Sequence, residues 1–383
     1  MTTPWQDARR ILCVRLDGLG AVLQTSPALR ALRAAVPGRT LTLLASPSGA
    51  AALPFIPDLD EAVPWTAPWT HVWLRDGGRA GMPASASGSS SAATSSSARW
   101  GTLALVDRLA ARRFDAAVIF TTMTQSPLPA ALLCHLAGIP LRLAHCRDNP
   151  YALLTDWVPD PEPAQLVRHE VQRQLALVQR IGCRSTASAL SFVPRPGDVV
   201  AARARLADAG IDPDHPWILL HPGAGAAAHR YPAAHWARVL RGLAQAARLP
   251  LVLTGSAAEA DLLDAIRIDA GVPAVTLAGR LSLGELGAAL RLAAVAVTGN
   301  AAPAHIAAAV GTPVVDLYAL TAPQHTPWHV RSRVLFHDVP CRFCAGRTCV
   351  QGHHDCLAGV APQRVVDAVL ELLNEPARAA DGR

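Results

Sequence analysis

The sequence predicts an α/β protein made of two Rossmann-like domains that face a cleft. Two observations carry that expectation. Short apolar runs, each followed by a glycine turn and then a helical pattern, occur in two separate series. Between the series lies a proline-rich stretch, 191–216, holding Pro194, Pro196, Pro213 and Pro216 around a short Arg/Ala helix. A length of 383 residues is comfortable for two domains at roughly 150 residues each.

In the first series, residues 11–16 form an apolar run that enters the turn Asp17-Gly18-Leu19-Gly20. Ser26 is placed as the N-cap of the following helix, Pro27 as its first position and Gly38 as its stop. Residues 40–45 and 114–120 are the next strands, separated by segments with Leu, Ala and Arg at helical spacing. Residues 83–98 read PASASGSSSAATSSSA, which has no face to bury and predicts a flexible insertion loop. The second series places strands at 217–221, 251–254, 275–278, 295–298 and 314–318. Helices are expected over 232–249, from Leu283, over 303–310 and over 362–374. The expected boundaries are 1–195 for the first domain, 196–216 for a linker, 217–361 for the second domain and 362–383 for a closing helix and tail.

Composition narrows the chemistry. Apolar residues make up 51% and charged residues 17%, as in a globular chain. The 35 basic residues exceed the 29 acidic ones by six, and none of them is lysine. That excludes a lysine Schiff base, a phosphate-loop lysine and a lysine nucleophile, and leaves the arginine fork as the anion ligand. The arginines are spread along many helices rather than clustered with aromatics, so no nucleic acid is expected as a partner. Asp7, Arg9, Arg10 and Arg15 interrupt the N-terminal stretch, and no window of about 18 residues is apolar throughout. The expected location is cytoplasmic, with peripheral contact to an inner membrane left open. Eight cysteines are too few for a disulfide scaffold. Cys341, Cys344, Cys349 and Cys356, with His353 and His354, are zinc-ligand types at uneven spacing. Zinc, packed reduced thiols and a redox pair are all open readings of that cluster.

Three stretches have the chemistry of an anion site. The loop HPGAGAAAHRYP, from His221 to Pro232, is built of small residues that let backbone N–H groups approach a diphosphate, and Arg230 adds a cation. The loop TGNAAPAH, from Thr298 to His305, is a second strand-to-helix turn, where His305 is either a ligand for phosphate or hydroxyl or a structural histidine. Glu259, after Gly255, suits a ribose contact or a solvated helix position.

In order and spacing, five segments resemble glycosyltransferase family nine, the ADP-heptose:lipopolysaccharide heptosyltransferases. They are ILCVRLDGLGAVLQTSPALRALRAAVPG, HPGAGAAAHRYP, TGSAAE, LAGRLSLGEL and TGNAAPAHIAAAVGTPVV. The resemblance covers nearly the whole chain apart from the serine-rich insert. It implies a GT-B fold, a lipid-linked saccharide acceptor on the N-terminal half and a nucleotide-sugar donor, an ADP-sugar first, on the C-terminal half. It also implies inverting chemistry with no metal and no cofactor, in which a carboxylate near the first glycine turn takes the proton of the acceptor hydroxyl. Carried over by position, Gly223, Ala224 and Arg230 serve the phosphates, Glu259 the ribose and Leu281 the base. Asn300, Ala301, Ala302 and His305 match the motif that wraps the diphosphate, and Gly18, Gly20 and Ala21 form the acceptor-side loop. Two departures stand out. Gly20-Ala21 replaces the family's Gly-Asp, which leaves Asp17 as the nearest catalytic carboxylate, and Ala301-Ala302 replaces a hydroxyl residue and a glycine. The implied function is transfer of a sugar, heptose first, to a lipopolysaccharide-core-type acceptor. The alternative is a catalytically impaired or non-catalytic nucleotide-binding relative.

Overall fold

The computed structural model describes residues 4–69, 91–319, 323–342, 344, 348–349 and 351–376. The chain divides into two compact units, Met1–Ser188 and Ala189–Arg383.

Unit 1 comprises α1 (Pro4–Asp7), β1 (Arg10–Arg15), α2 (Leu19–Ala35), β2 (Thr40–Ala45), α3 (Pro47–Ala50) and β3 (Glu61–Pro64). It continues with α4 (Ser91–Ala111), β4 (Ala116–Ile119), α5 (Leu128–Leu136), β5 (Leu141–Cys146), β6 (Asp156–Pro159) and α6 (Glu170–Gln179). The six strands pair in parallel in the order β3-β2-β1-β4-β5-β6. β1, β2 and β4 are almost wholly buried, as a parallel sheet covered on both faces requires. Leu12, Val14, Ile119 and Ala144 face a core shared with Leu105, Leu109 and Leu133 of α4 and α5. Alternation turns Ile11, Cys13 and Arg15 to the opposite face, against α2 and α6.

Several expectations change here. α2 begins at Leu19, not at Ser26, and Gly18 is its N-cap. Pro27 lies inside the helix and cannot donate to Leu23, four residues back. The Ser26 hydroxyl donates to that same Leu23 carbonyl at 2.6 Å, so the Ser-Pro pair repairs its own gap in the ladder. Within the expected insert, 83–90 lies outside the described residues, whereas the backbone from Ser91 onward is α4.

Unit 2 comprises α7 (Pro196–Asp208), β7 (Ile218–His221), α8 (Ala233–Ala246), β8 (Leu251–Leu253), α9 (Ala260–Ala270), β9 (Val275–Thr276) and α10 (Leu283–Leu292). Then follow β10 (Val295–Gly299), α11 (Ala302–Val310), β11 (Val314–Leu317), β12 (Ser332–Leu335), α12 (Asp355–Ala358) and α13 (Pro362–Asn374). Its sheet has the order β9-β8-β7-β10-β11-β12, again all parallel. The stretch expected as a linker, 196–216, is largely α7, and it packs on α10. Two glycines of α10 make that contact possible. A Cβ on Gly284 would fall 2.3 Å from Asp198 Cγ, and one on Gly287 would fall 2.1 Å from Phe192 Cε1. Phe192 is buried, and the second compact unit begins at Ala189.

Both sheets therefore share the order 3-2-1-4-5-6, in which the strand sequence reverses direction between the first and fourth strands. Ligands of such sheets bind outside the carboxyl ends of the strands at that reversal. In unit 1 it lies between β1 and β4, and in unit 2 between β7 and β10.

The loop at the unit 1 reversal is packed tightly. A Cβ on Gly49 would fall 2.7 Å from the Asp17 carbonyl oxygen and 3.1 Å from Val22 Cγ2. Gly49→Ala is expected to cost about 1–3 kcal/mol through overpacking, read as a shift in the denaturant midpoint, and to displace the Asp17 loop.

Candidate active site

Asp17 follows β1 at the unit 1 reversal and is held from both sides. Its Oδ1 accepts from Gln125 Nε2, beyond β4, at 2.7 Å. Its Oδ2 lies 3.0 Å from Arg15 Nε, and its carbonyl accepts from Ser46 Oγ at 2.7 Å. The side chain keeps 23% exposure, so the carboxylate is oriented yet reachable. Gly18 caps α2, Gly20 lies in its first turn, and Ala21 N–H donates to the Gly18 carbonyl at 3.1 Å. The loop after β1 thus presents one carboxylate, Asp17, and a methyl group at 21.

Behind Asp17 is a buried charge network. Arg15, fully buried, reaches Glu170 Oε1 with Nη2 at 2.9 Å. Glu170 opens α6 and accepts from Gln174 Nε2 at 2.6 Å. Arg173 binds both oxygens of Asp160 at 2.7 and 2.8 Å, contacts Glu162, and donates to the Thr121 carbonyl at 3.0 Å. Glu162 also takes Arg168 Nε at 3.0 Å. His145 sits under Arg173, and burial first, then the Arg173 and Arg168 charges, push its pKa down to about 4. It is a neutral ring at neutral pH. Sequence reasoning missed Arg15, Gln125 and Glu170. Of these only Arg15 carried a signal, a cation set in the apolar run ILCVR that demands a buried partner.

In unit 2, a pocket of about 270 Å³ opens at the carboxyl ends of β7 and β8, lined by His221, Thr254, Glu259, Leu281, Leu286 and Pro303 among others. Glu259 accepts from the Ser256 backbone N–H and hydroxyl, both at 2.8 Å. That pins its carboxylate against Gly223, where a Cβ would fall 2.1 Å from Glu259 Oε1. His221 Nδ1 lies 3.0 Å from Thr254 Oγ1, and burial lowers its pKa to about 4, so it offers a hydrogen-bonding ring without charge. Glu259 and Leu281 line this pocket, and Gly223 lies against Glu259.

The remaining predicted donor residues line the neighbouring turns. Arg230 is exposed and donates to the Ala224 carbonyl at 3.2 Å, which folds it back over its own loop. A Cβ on Gly299 would fall 3.3 Å from the His229 carbonyl, so the loops after β7 and β10 touch. Asn300 N–H donates to the Leu317 carbonyl at 3.3 Å, Ala301 is the N-cap of α11, and Ala302 is its first residue. His305 is only 4% exposed, one turn into α11. The α11 N-terminus and the small-residue loop together offer backbone donors and one exposed guanidinium to an anion.

In the C-terminal cluster, Cys341 Sγ lies 3.5 Å from His353 Nε2 and Cys356 is buried, its thiol pushed up by burial first and by the Cys349, Cys344 and Cys341 thiols nearby. Among the described residues, no three His, Cys, Asp or Glu side chains converge to hold a metal ion. Among them, too, no helix is long and apolar enough to cross a membrane.

Residues 102–354 match the model of glycosyltransferase family 9 (heptosyltransferase). The chain belongs to this family. A curated relative of this family 9 chain, lipopolysaccharide heptosyltransferase 1 of Pseudomonas aeruginosa, is 30% identical over 198 residues, which cover 47% of this chain and about half (54%) of that protein. Among solved structures, a family 9 glycosyl transferase from Veillonella parvula superposes with a TM-score of 0.76 at 18% identity, covering 98% of this chain and 99% of that one. The ADP-heptose lipopolysaccharide heptosyltransferase II of Escherichia coli gives 0.67 at 22% identity, covering 95% and 98%. The fold of this family 9 chain is accordingly GT-B, with two parallel-sheet α/β domains, as the sequence resemblance implies.

Proposed function

We propose that this family 9 glycosyltransferase moves heptose from ADP-heptose to a saccharide of the lipopolysaccharide-core type, with inversion at the anomeric carbon. Unit 2 holds the donor and unit 1 the lipid-linked acceptor, at the cytoplasmic face of a membrane. The observation that carries the reading is Asp17, a partly exposed carboxylate fixed through both oxygens at the strand reversal of unit 1. In this reading Asp17 takes the proton of the acceptor hydroxyl. The hydroxyl oxygen then bonds to the anomeric carbon as the carbon–oxygen bond to the diphosphate breaks. The charge that develops on the leaving diphosphate is met by the α11 N-terminus and Arg230. A catalytically impaired relative, the alternative raised by Ala21, is less well supported, because a carboxylate stands at the same turn.

Incubation with ADP-heptose and a heptose-accepting lipid tests the reading. The absence of both transfer and donor hydrolysis would refute it, and the anomeric configuration of any product, read by NMR, tests the inversion. Calorimetric titration with ADP, UDP and GDP separates the donor classes. Arg230→Ala is expected to weaken ADP binding about tenfold or more, consistent with loss of a charge-assisted contact of about 1.5–3 kcal/mol, with no change in the melting transition.

A further inference from the structure

β11 carries a carboxyl group inside the core of unit 2. Asp316 has no exposed surface, and neither of its oxygens has a hydrogen-bond partner. Val315 and Leu317 pack with residues of α8, α9 and α13, so alternation turns Asp316 to the other face of the sheet, where α11 lies. Register pairs Asp316 with Thr298 of β10, and Thr298 with His221 of β7. This polar row lies directly beneath Gly299 and Asn300, the turn into α11. Thr298 Oγ1 is likewise buried and unpartnered.

Among the described residues, no permanent charge faces this carboxyl group. β10 has no titratable residue, and His305 is the one titratable residue of α11. On β12, Arg333 is turned to the far face, bound to Glu371 of α13 and to Glu375 just past its end. On α10, Arg291 is exposed and Glu285 caps its own helix. Burial alone pushes the Asp316 carboxyl up to about 8, so a neutral acid occupies the site at neutral pH.

We propose that a negative charge on Asp316 opposes capture of a diphosphate at the neighbouring turn into α11, so that the donor binds there only while Asp316 is a neutral acid. The inference rests on the assignment of the donor to unit 2. A carboxylate formed there would stand in low dielectric one strand from the turn and oppose the diphosphate charge. Loss of the proton to solvent and binding of the donor therefore antagonise one another, and the coupling is reciprocal.

The test is calorimetric titration of ADP into wild type and Asp316→Asn between about pH 7.5 and 9.5. That window lies above ordinary histidine titration, and the nucleotide's own charge is constant across it. In wild type, Kd should rise from about pH 8 upward, approaching about tenfold per pH unit. In Asp316→Asn, a neutral isostere, the affinity should be flat and within about threefold of wild type at pH 7.5. A flat wild-type profile, the same slope in the variant, or loss of ADP binding in the variant alone would overturn the role of Asp316. Absence of ADP binding by both proteins at pH 7.5 would instead overturn the donor assignment, and this inference with it.

Discussion

Asp17→Asn is expected to lower the transfer rate by about 100- to 10,000-fold, the usual contribution of a general base, while leaving ADP affinity unchanged. The amide still accepts from Gln125 Nε2, and Ser46 still binds the residue 17 carbonyl, so the loop keeps its shape. Arg15 retains Glu170 as a counter-ion. What disappears is the capacity to take a proton. Single-turnover transfer measured beside calorimetry separates that loss from a loss of binding. An unchanged rate would remove Asp17 from the chemistry. Ala21→Asp in the same assay locates the base independently, because a large gain there would show that position 21 is where the reaction needs it.

Arg173→Met is expected to destabilise the protein by about 3–5 kcal/mol, the cost of stripping one partner from a buried ion pair. Asp160 and Glu162, only 4% and 1% exposed, face Arg173 from two sides, and Asp160 would be left without a cation. The acid limb of stability should change with it. Burial acts to raise both carboxyls, but Arg173 at Asp160, and Arg168 with Arg173 at Glu162, outweigh it and hold both below their ordinary values. Their contribution is present above about pH 4 and is lost as pH falls through the depressed folded values. His145 adds an earlier step. The unfolded ring takes up its proton near pH 6.5 and the folded one near 4, so stability falls on acidification between those values. Wild type should therefore lose stability in two stages, and Arg173→Met should lack most of the second. Denaturant midpoints between about pH 3 and 7 report both stages, and an unaltered low-pH stage would contradict this account.

The regular elements were legible because a parallel sheet buried on both faces writes its central strands as apolar runs. Residues 40–45 match β2 for that reason, whereas Leu283 opens α10 behind the Ser282 capping box. The start of α2 was not legible. Gly18 caps without a side chain, whereas Ser26-Pro27 imitates a helix start while serving as an internal repair. The unit 2 pocket was readable as local motifs, since Gly223, Glu259 and Leu281 sit on turns whose residue types report their own geometry. At the end of β1 the decisive contacts are distant in sequence. Gln125 lies 108 residues from Asp17, and only the neighbouring positions of β1 and β4 bring them together.

Arg15 also constrains the order in which unit 1 can be made. It lies on β1, which leaves the ribosome before the other described strands of unit 1, yet its buried partner Glu170 begins the last described helix of the unit. Until α6 has emerged, the central strand ends in a cation that must stay solvated, so nascent β1 cannot reach its final burial however early its neighbours pair. A chain cut before residue 170 should therefore remain open and dependent on holding factors during synthesis. Completion of unit 1 is in this sense timed by translation of its final helix.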